Sequence, residues 1–251
     1  MRNNIPNFFT LANLLFGCIA TVAALNNNLV GASYCVGFSL IFDFLDGFMA
    51  RALKANSPIG KELDSLADMV SFGLVPGVIM FKLIGGALIY QSIQENMSLE
   101  ARTVYTKLSY VAFLITLFSA WRLAKFNIDT RQHKTFIGLA TPGNTLLIAS
   151  FPLVIENPTN INEWLLNSAV LNPYFLLVLV VFLSYLLVAN IRMFSFKMET
   201  FSFADNKPQY ILVVSSIILI AFFQYIGLLL VVPLYILLSL VFGGLKKKPT
   251  Q

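Results

Sequence analysis

The segment Asp43–Asp68, DFLDGFMARALKANSPIGKELDSLAD, stands between two long apolar runs, and its reading decides the fold. Four of the six aspartates in the 251-residue chain lie in it. They come in pairs, Asp43 with Asp46 and Asp64 with Asp68. The spacings are i,i+3 and i,i+4, so each pair occupies one face of a helix. The polar turn KANSPIG (54–60) joins the two helices as antiparallel neighbours. The pattern predicts two helix ends that present four carboxylates to one another across a shared pocket.

Working outward, the chain is 57% hydrophobic and 12% charged, with a mean hydropathy of +0.77. Soluble domains carry about 25% charged residues, so the composition predicts an all-α, polytopic transmembrane helix bundle forming one integral domain over residues 1–251. Apolar segments fall at about 8–25, 29–50, 63–90, 104–126, 137–155, 172–194 and 210–242. The last is long for one span and tight for two, and Gln224 and Gly227 offer a turn near its middle. Charge favours two. With eight spans, 14 of the 17 lysines and arginines fall on one side: Arg2; Arg51, Lys54 and Lys61; Arg122, Lys125, Arg131 and Lys134; Arg192, Lys197 and Lys207; and Lys246–Lys248. Lys82 falls within a span, and Arg102 and Lys107 lie on the far side. By the positive-inside rule both termini and the acidic pocket are cytoplasmic.

The formal charge of +5 reports this asymmetry rather than nucleic-acid binding. Cys18 and Cys35 read as small hydrophobes, and His133, in the polar stretch RQHK, as a solvated residue. The N-terminus imitates a signal peptide, but Thr10 and Asn13 on one helical face argue for a retained first span.

Four anions in a low-dielectric pocket repel one another and require cations. An all-carboxylate donor set suits hard divalent ions, Mg²⁺ or Mn²⁺. Two ions fit four carboxylates, a device used for displacement at phosphorus. Gly47 lets a bulky ligand approach the backbone, Arg51 offers a guanidinium to a diphosphate, and Ser57 offers a hydroxyl in the connecting loop.

The run Asp43-x-x-Asp46-Gly47-x-x-Ala50-Arg51-x8-Gly60-x3-Asp64-x3-Asp68 resembles, position for position, the signature of the CDP-alcohol phosphotransferase family. Further segments are similar to the members that act on CDP-diacylglycerol and L-serine: IPNFFTLANLLFG (5–17), LDSLADMVSFGLVPG (63–77), RLAKFN (122–127) and FIGLATPGN (136–144). Lys125 stands where that pattern has arginine, and Ala140 where it has proline.

The resemblance implies a six-helix core, residues 1–195, with two added C-terminal helices in 209–245, and a homodimer in the membrane. It implies that Asp43, Asp46 and Asp64 ligate metal, with Asp68 shared between metal binding and general base, and that Asn7, Gly47, Arg51 and Ser57 hold the CDP moiety. For the serine carboxylate or the lipid phosphate the expected cations are Arg122 and Lys125, with Asn127 and Thr141 beside the acceptor. Two other readings stay open. One is a sister enzyme making phosphatidylglycerolphosphate or an inositol lipid. The other is a divalent-cation transporter, which would want its acids near mid-membrane.

Overall fold

The computed structural model describes residues 4–54, 57–128, 136–157, 172–194 and 206–243. Arg2, Arg131, His133, Lys134, Lys197 and Lys246–Lys248 lie outside the described residues. Helices dominate. α1 (Asn4–Leu25) and α2 (Leu29–Leu53) form an antiparallel pair. α3 (Pro58–Asp68) continues through a π-helical turn (Met69–Leu74) into α4 (Val75–Gln94). α5 (Leu99–Thr106) continues through a 3₁₀ stretch (Lys107–Phe113) into α6 (Leu114–Ile128). α7 (Thr141–Glu156), α8 (Pro173–Val188) and α9 (Lys207–Gly243) follow. A two-residue antiparallel ladder pairs β1 (Phe136–Ile137) with β2 (Arg192–Met193).

Five helical stretches are long and apolar enough to cross a bilayer: Ile5–Leu25, Leu29–Leu53, Pro58–Gln94, Leu99–Ile128 and Lys207–Phe242. α8 is a shorter apolar helix. The last stretch is not straight. Gln224 has φ 49° and ψ −119°, which no helix contains. The Leu219 carbonyl packs where a Cβ on Gly227 would stand. In a straight helix residues eight apart are about 12 Å apart, so α9 doubles back as a hairpin. The Tyr225 hydroxyl at its tip lies 3.4 Å from that of Tyr34, near the start of α2. Among the described residues these stretches, with the last folded back on itself, give a polytopic helical bundle.

The turn between the acid-bearing helices is fixed locally. Lys54 ends α2 in the left-handed region (φ 52°), its N–H reaching the carbonyls of Ala50 and Arg51. Ser57 caps α3 by accepting the Gly60 N–H at 3.2 Å, and Pro58 occupies the first turn, where a missing N–H costs nothing.

α3–α4 is the most buried of the long spans, and α1 packs one face against α2, α3 and α4. Thr10, Asn13, Gly17, Ala20 and Ala24, spaced three and four apart, form its buried stripe. Gly17 allows the closest approach: a Cβ there would collide with Ser71 Oγ. The π turn has a covalent cause. In an α-helix Phe72 would give its carbonyl to residue 76, but Pro76 has no N–H. The Val75 N–H instead reaches the Val70 carbonyl, and Thr145 Oγ1 of α7 shares its hydrogen between the Phe72 carbonyl at 3.0 Å and the Thr141 carbonyl of its own helix at 2.9 Å. Thr116 Oγ1 of α6 donates to the Gly73 carbonyl at 3.0 Å.

Thr145→Val keeps the shape and removes the hydroxyl that reaches the Phe72 carbonyl across the helix interface. It is expected to cost about 1–3 kcal/mol of stability. Thr21→Val removes only a hydroxyl bonded at 2.9 Å to the Gly17 carbonyl of its own helix, and is expected to stay within about 0.5 kcal/mol. Thermal unfolding of the two variants in detergent checks the difference.

Candidate active site

α2 and α3 bring three of the four acids together. Asp43, Asp64 and Asp68 each offer one carboxylate oxygen, and the three oxygens lie within 4.8 Å of one another. Asp46, 6% exposed, is not one of the three. It faces the Thr10 side chain of α1 and lies within electrostatic reach of Asp64. At an effective dielectric of about 20, two unit charges at this separation repel by roughly 3–4 kcal/mol per pair. Among the described residues, Asp46 Oδ2 and Asp64 Oδ1 are buried with no hydrogen-bond donor. Orphaned, acceptor-only, hard oxygens fit a divalent cation such as Mg²⁺ or Mn²⁺.

One neighbour of the acids was on the inward face in the sequence but carried no site role there. Asn13, fully buried on α1, donates from Nδ2 to Asp68 Oδ1 at 3.3 Å. Its own carbonyl accepts from Ser39 Oγ of α2 at 3.2 Å and from Ser71 Oγ of the π turn at 3.0 Å. Three segments thus converge on Asn13. The available signal was an amide one turn after Thr10 in an otherwise apolar helix.

The expected nucleotide-holding residues lie toward the ends of these helices. A Cβ on Gly60 would stand 2.9 Å from Asn7 Oδ1 and 3.4 Å from Ser57 Cβ. Gly60 therefore lets the start of α1 rest on the first turn of α3, bringing Asn7 and Ser57 together. On α2 the Arg51 Nη1 lies 3.6 Å from where a Gly47 Cβ would be, so the guanidinium covers the glycine one turn past Asp43.

The expected acceptor residues have occupations of their own. Arg122, 7% exposed, donates from Nη1 to the carbonyls of Ile137 at 2.9 Å and Leu187 at 3.2 Å. It caps the C-terminal end of α8, where basic side chains suit both the orphan carbonyls and the helix dipole. Gly138 completes this junction. Its φ is +76°, and a Cβ would stand 2.7 Å from the Leu187 carbonyl. Lys125 lines, with Arg122, a recess of about 10 Å³, room for roughly one water molecule. Asn127 Nδ2 donates to Ser65 Oγ at 2.8 Å, and its carbonyl accepts from Lys61 Nζ at 3.1 Å. The end of α6 is thereby tied to the helix that carries Asp64 and Asp68. Thr141 is buried at the start of α7.

The geometry agrees with comparison to known proteins. Residues 3–174 match the model of the CDP-alcohol phosphatidyltransferase family. The chain belongs to this family. The match ends in the first turn of α8, so the α9 hairpin lies beyond it. A CDP-diacylglycerol–serine O-phosphatidyltransferase of Helicobacter pylori is 31% identical over 194 residues, 76% of this chain and 72% of that protein. One from Bacillus subtilis is 31% identical over 178 residues, 69% of this chain and 92% of that protein. An archaetidylserine synthase of Methanothermobacter thermautotrophicus is 28% identical over 151 residues, 59% and 58% of the two chains. The chain is thus a membrane enzyme, a transferase of phospholipid biosynthesis whose family uses CDP-activated alcohols.

Asn13→Ala removes an amide donor from Asp68 Oδ1 without touching a carboxylate. Direct Mn²⁺ binding, followed by electron paramagnetic resonance, is expected to weaken about 10–100-fold. Unchanged Mn²⁺ affinity would show that Asp68 needs no support from α1.

Proposed function

We propose that the chain transfers the phosphatidyl group of CDP-diacylglycerol to the hydroxyl of L-serine, giving phosphatidylserine and CMP. The observation that carries this reading is the meeting of Asp43, Asp64 and Asp68 oxygens within 4.8 Å. Serine as acceptor is supported by the names of relatives that align over two thirds or more of this chain.

In this reading Asp43, Asp46, Asp64 and Asp68 hold two divalent ions, Mg²⁺ or Mn²⁺. When bound, such ions supply positive charge to the diphosphate oxygens and to the departing CMP. Asn7, Gly47, Arg51 and Ser57 hold the cytidine diphosphate. Asp68, oriented by Asn13, accepts the serine hydroxyl proton as that oxygen attacks the lipid-side phosphorus. The new phosphorus–oxygen bond forms as the bond to CMP breaks.

Lys125 and Asn127, with Arg122 behind them, serve the acceptor carboxylate or the lipid phosphate. Because the recess beside Arg122 is smaller than an amino acid, serine binding there needs the α6–α8 junction to open. The basic residues on the carboxylate side support a cytoplasmic pocket and cytoplasmic termini. Residues 1–195 form the core of a single domain, the α9 hairpin is an addition to it, and the enzyme is a homodimer.

The test is CMP release by purified protein with Mn²⁺ or Mg²⁺ across a panel of acceptors. Serine is expected to support release and glycerol-3-phosphate is not; the opposite result would move the chain to a sister activity. Asp68→Asn is expected to lower CMP release about 10²–10⁴-fold, and release at the wild-type rate would remove Asp68 as the base.

A further inference from the structure

A second polar site lies at the far end of the bundle. From Asp64 to Lys82 the chain rises through 18 helical residues, about 27 Å. From Asn13, beside Asp68, to the end of α1 at Leu25 is about 18 Å. The hydrocarbon core of a bilayer is about 30 Å thick. Lys82, inside an apolar helix by sequence, therefore reaches the opposite membrane interface. Its partner agrees with that depth. Lys82 Nζ donates to Oδ1 of Asn27 at 3.0 Å, and Asn27 sits in the α1–α2 turn with φ 63°.

Between this lysine and the 3₁₀ stretch is a recess of about 590 Å³. Lys82 and Lys107 line it, and among the described residues no carboxylate does. Gly85 and Gly86 form part of its wall, and Gly86 has open space where a Cβ would be. Phe81 and Tyr110, with ring centroids 5.2 Å apart, add an apolar flank with a phenol at the rim. One ammonium hydrogen of Lys82 is directed at Asn27, and an ammonium has three.

We propose that this recess binds the phosphate of an anionic phospholipid in the leaflet opposite the carboxylates, with Lys82 and Lys107 as the charged contacts. Two cations without a lining acid complement one phosphodiester. The calculated depth is that of a headgroup, and the apolar flank suits the first carbons of an acyl chain. The volume is that of a small-molecule site. The inference does not depend on serine as acceptor or on the metal assignment.

The test is native mass spectrometry of the full chain released from phosphatidylcholine bilayers doped with phosphatidylglycerol. Wild type is expected to retain phosphatidylglycerol preferentially. Lys82→Gln with Lys107→Gln is expected to reduce that preference roughly ten- to thirtyfold, and the double arginine variant to restore it. Lys207→Gln, at the exposed start of α9 on the carboxylate side, is expected to leave it unchanged. Inorganic phosphate alone is expected not to displace the lipid. Equal retention by wild type and the double glutamine variant overturns the proposal, as does loss of retention in Lys207→Gln only. Displacement by free phosphate, or a change in oligomer mass with no change in bound lipid, also overturns it.

Discussion

The structure depends on keeping mutually repelling carboxylates together in a low-dielectric place. Repulsion of a few kcal/mol per pair would splay two helices joined by a short turn. The turn resists this locally, through the left-handed Lys54 and the Ser57–Pro58 cap. α1 resists it from the side. Its Asn13 is bonded at once to Asp68, to Ser39 of α2 and to Ser71 beyond α3. α1 is the wedge that sets the gap between the acid-bearing helices, and the small residues of its buried face let it enter deeply enough to do so.

The same economy governs the broken backbone. A membrane offers no water for an orphaned carbonyl, so each irregularity must be repaired by protein. The Phe72 carbonyl freed by Pro76 is taken by Thr145, and the Gly73 carbonyl receives Thr116. The end of α8 gives its Leu186 carbonyl to the Leu139 N–H and its Leu187 carbonyl to Arg122. These repairs join α4 to α6 and α7, and α6 to α8. They make the irregular segments the joints of the bundle, and the π turn lies immediately after Asp68.

What was legible in the sequence is what depends on local spacing. The i,i+3 and i,i+4 acids specify shared faces, and a short polar turn makes the faces meet. Charge asymmetry divided the final apolar run in two, and the break at Gln224 with the close approach at Gly227 has that form. What was not legible depends on partners distant in sequence. Arg122 reads as a cation for the acceptor carboxylate or the lipid phosphate, and only the fold reveals the Leu187 carbonyl of α8, 65 residues away, that engages it. Asn13 reads as an inward polar residue, and only the crossing of α1 over the π turn aims it at Asp68. Asp46 shares a helical face with Asp43 yet is not part of the three-oxygen cluster, its side chain meeting Thr10 of α1, a partner distant in sequence.

Depth links the site to its lipid chemistry. On α2 the residues adjoining the acids, Phe44 and Phe48, are exposed and stacked with centroids 6.5 Å apart. On α3 Leu66 is exposed between Asp64 and Asp68. One helical face carries carboxylates while the opposite face is apolar and exposed, the pattern of a helix that meets hydrocarbon. Asp46 is seven residues, about 10 Å, inside the end of α2, and the intervening turns carry Gly47 and Arg51. On the function proposed above, a lipid with its polar head among these residues would lay its chains along Phe44, Phe48 and Leu66 without leaving the bilayer. A water-soluble acceptor would instead approach past the ends of α2 and α3, so the two classes of substrate would reach the same carboxylates separately.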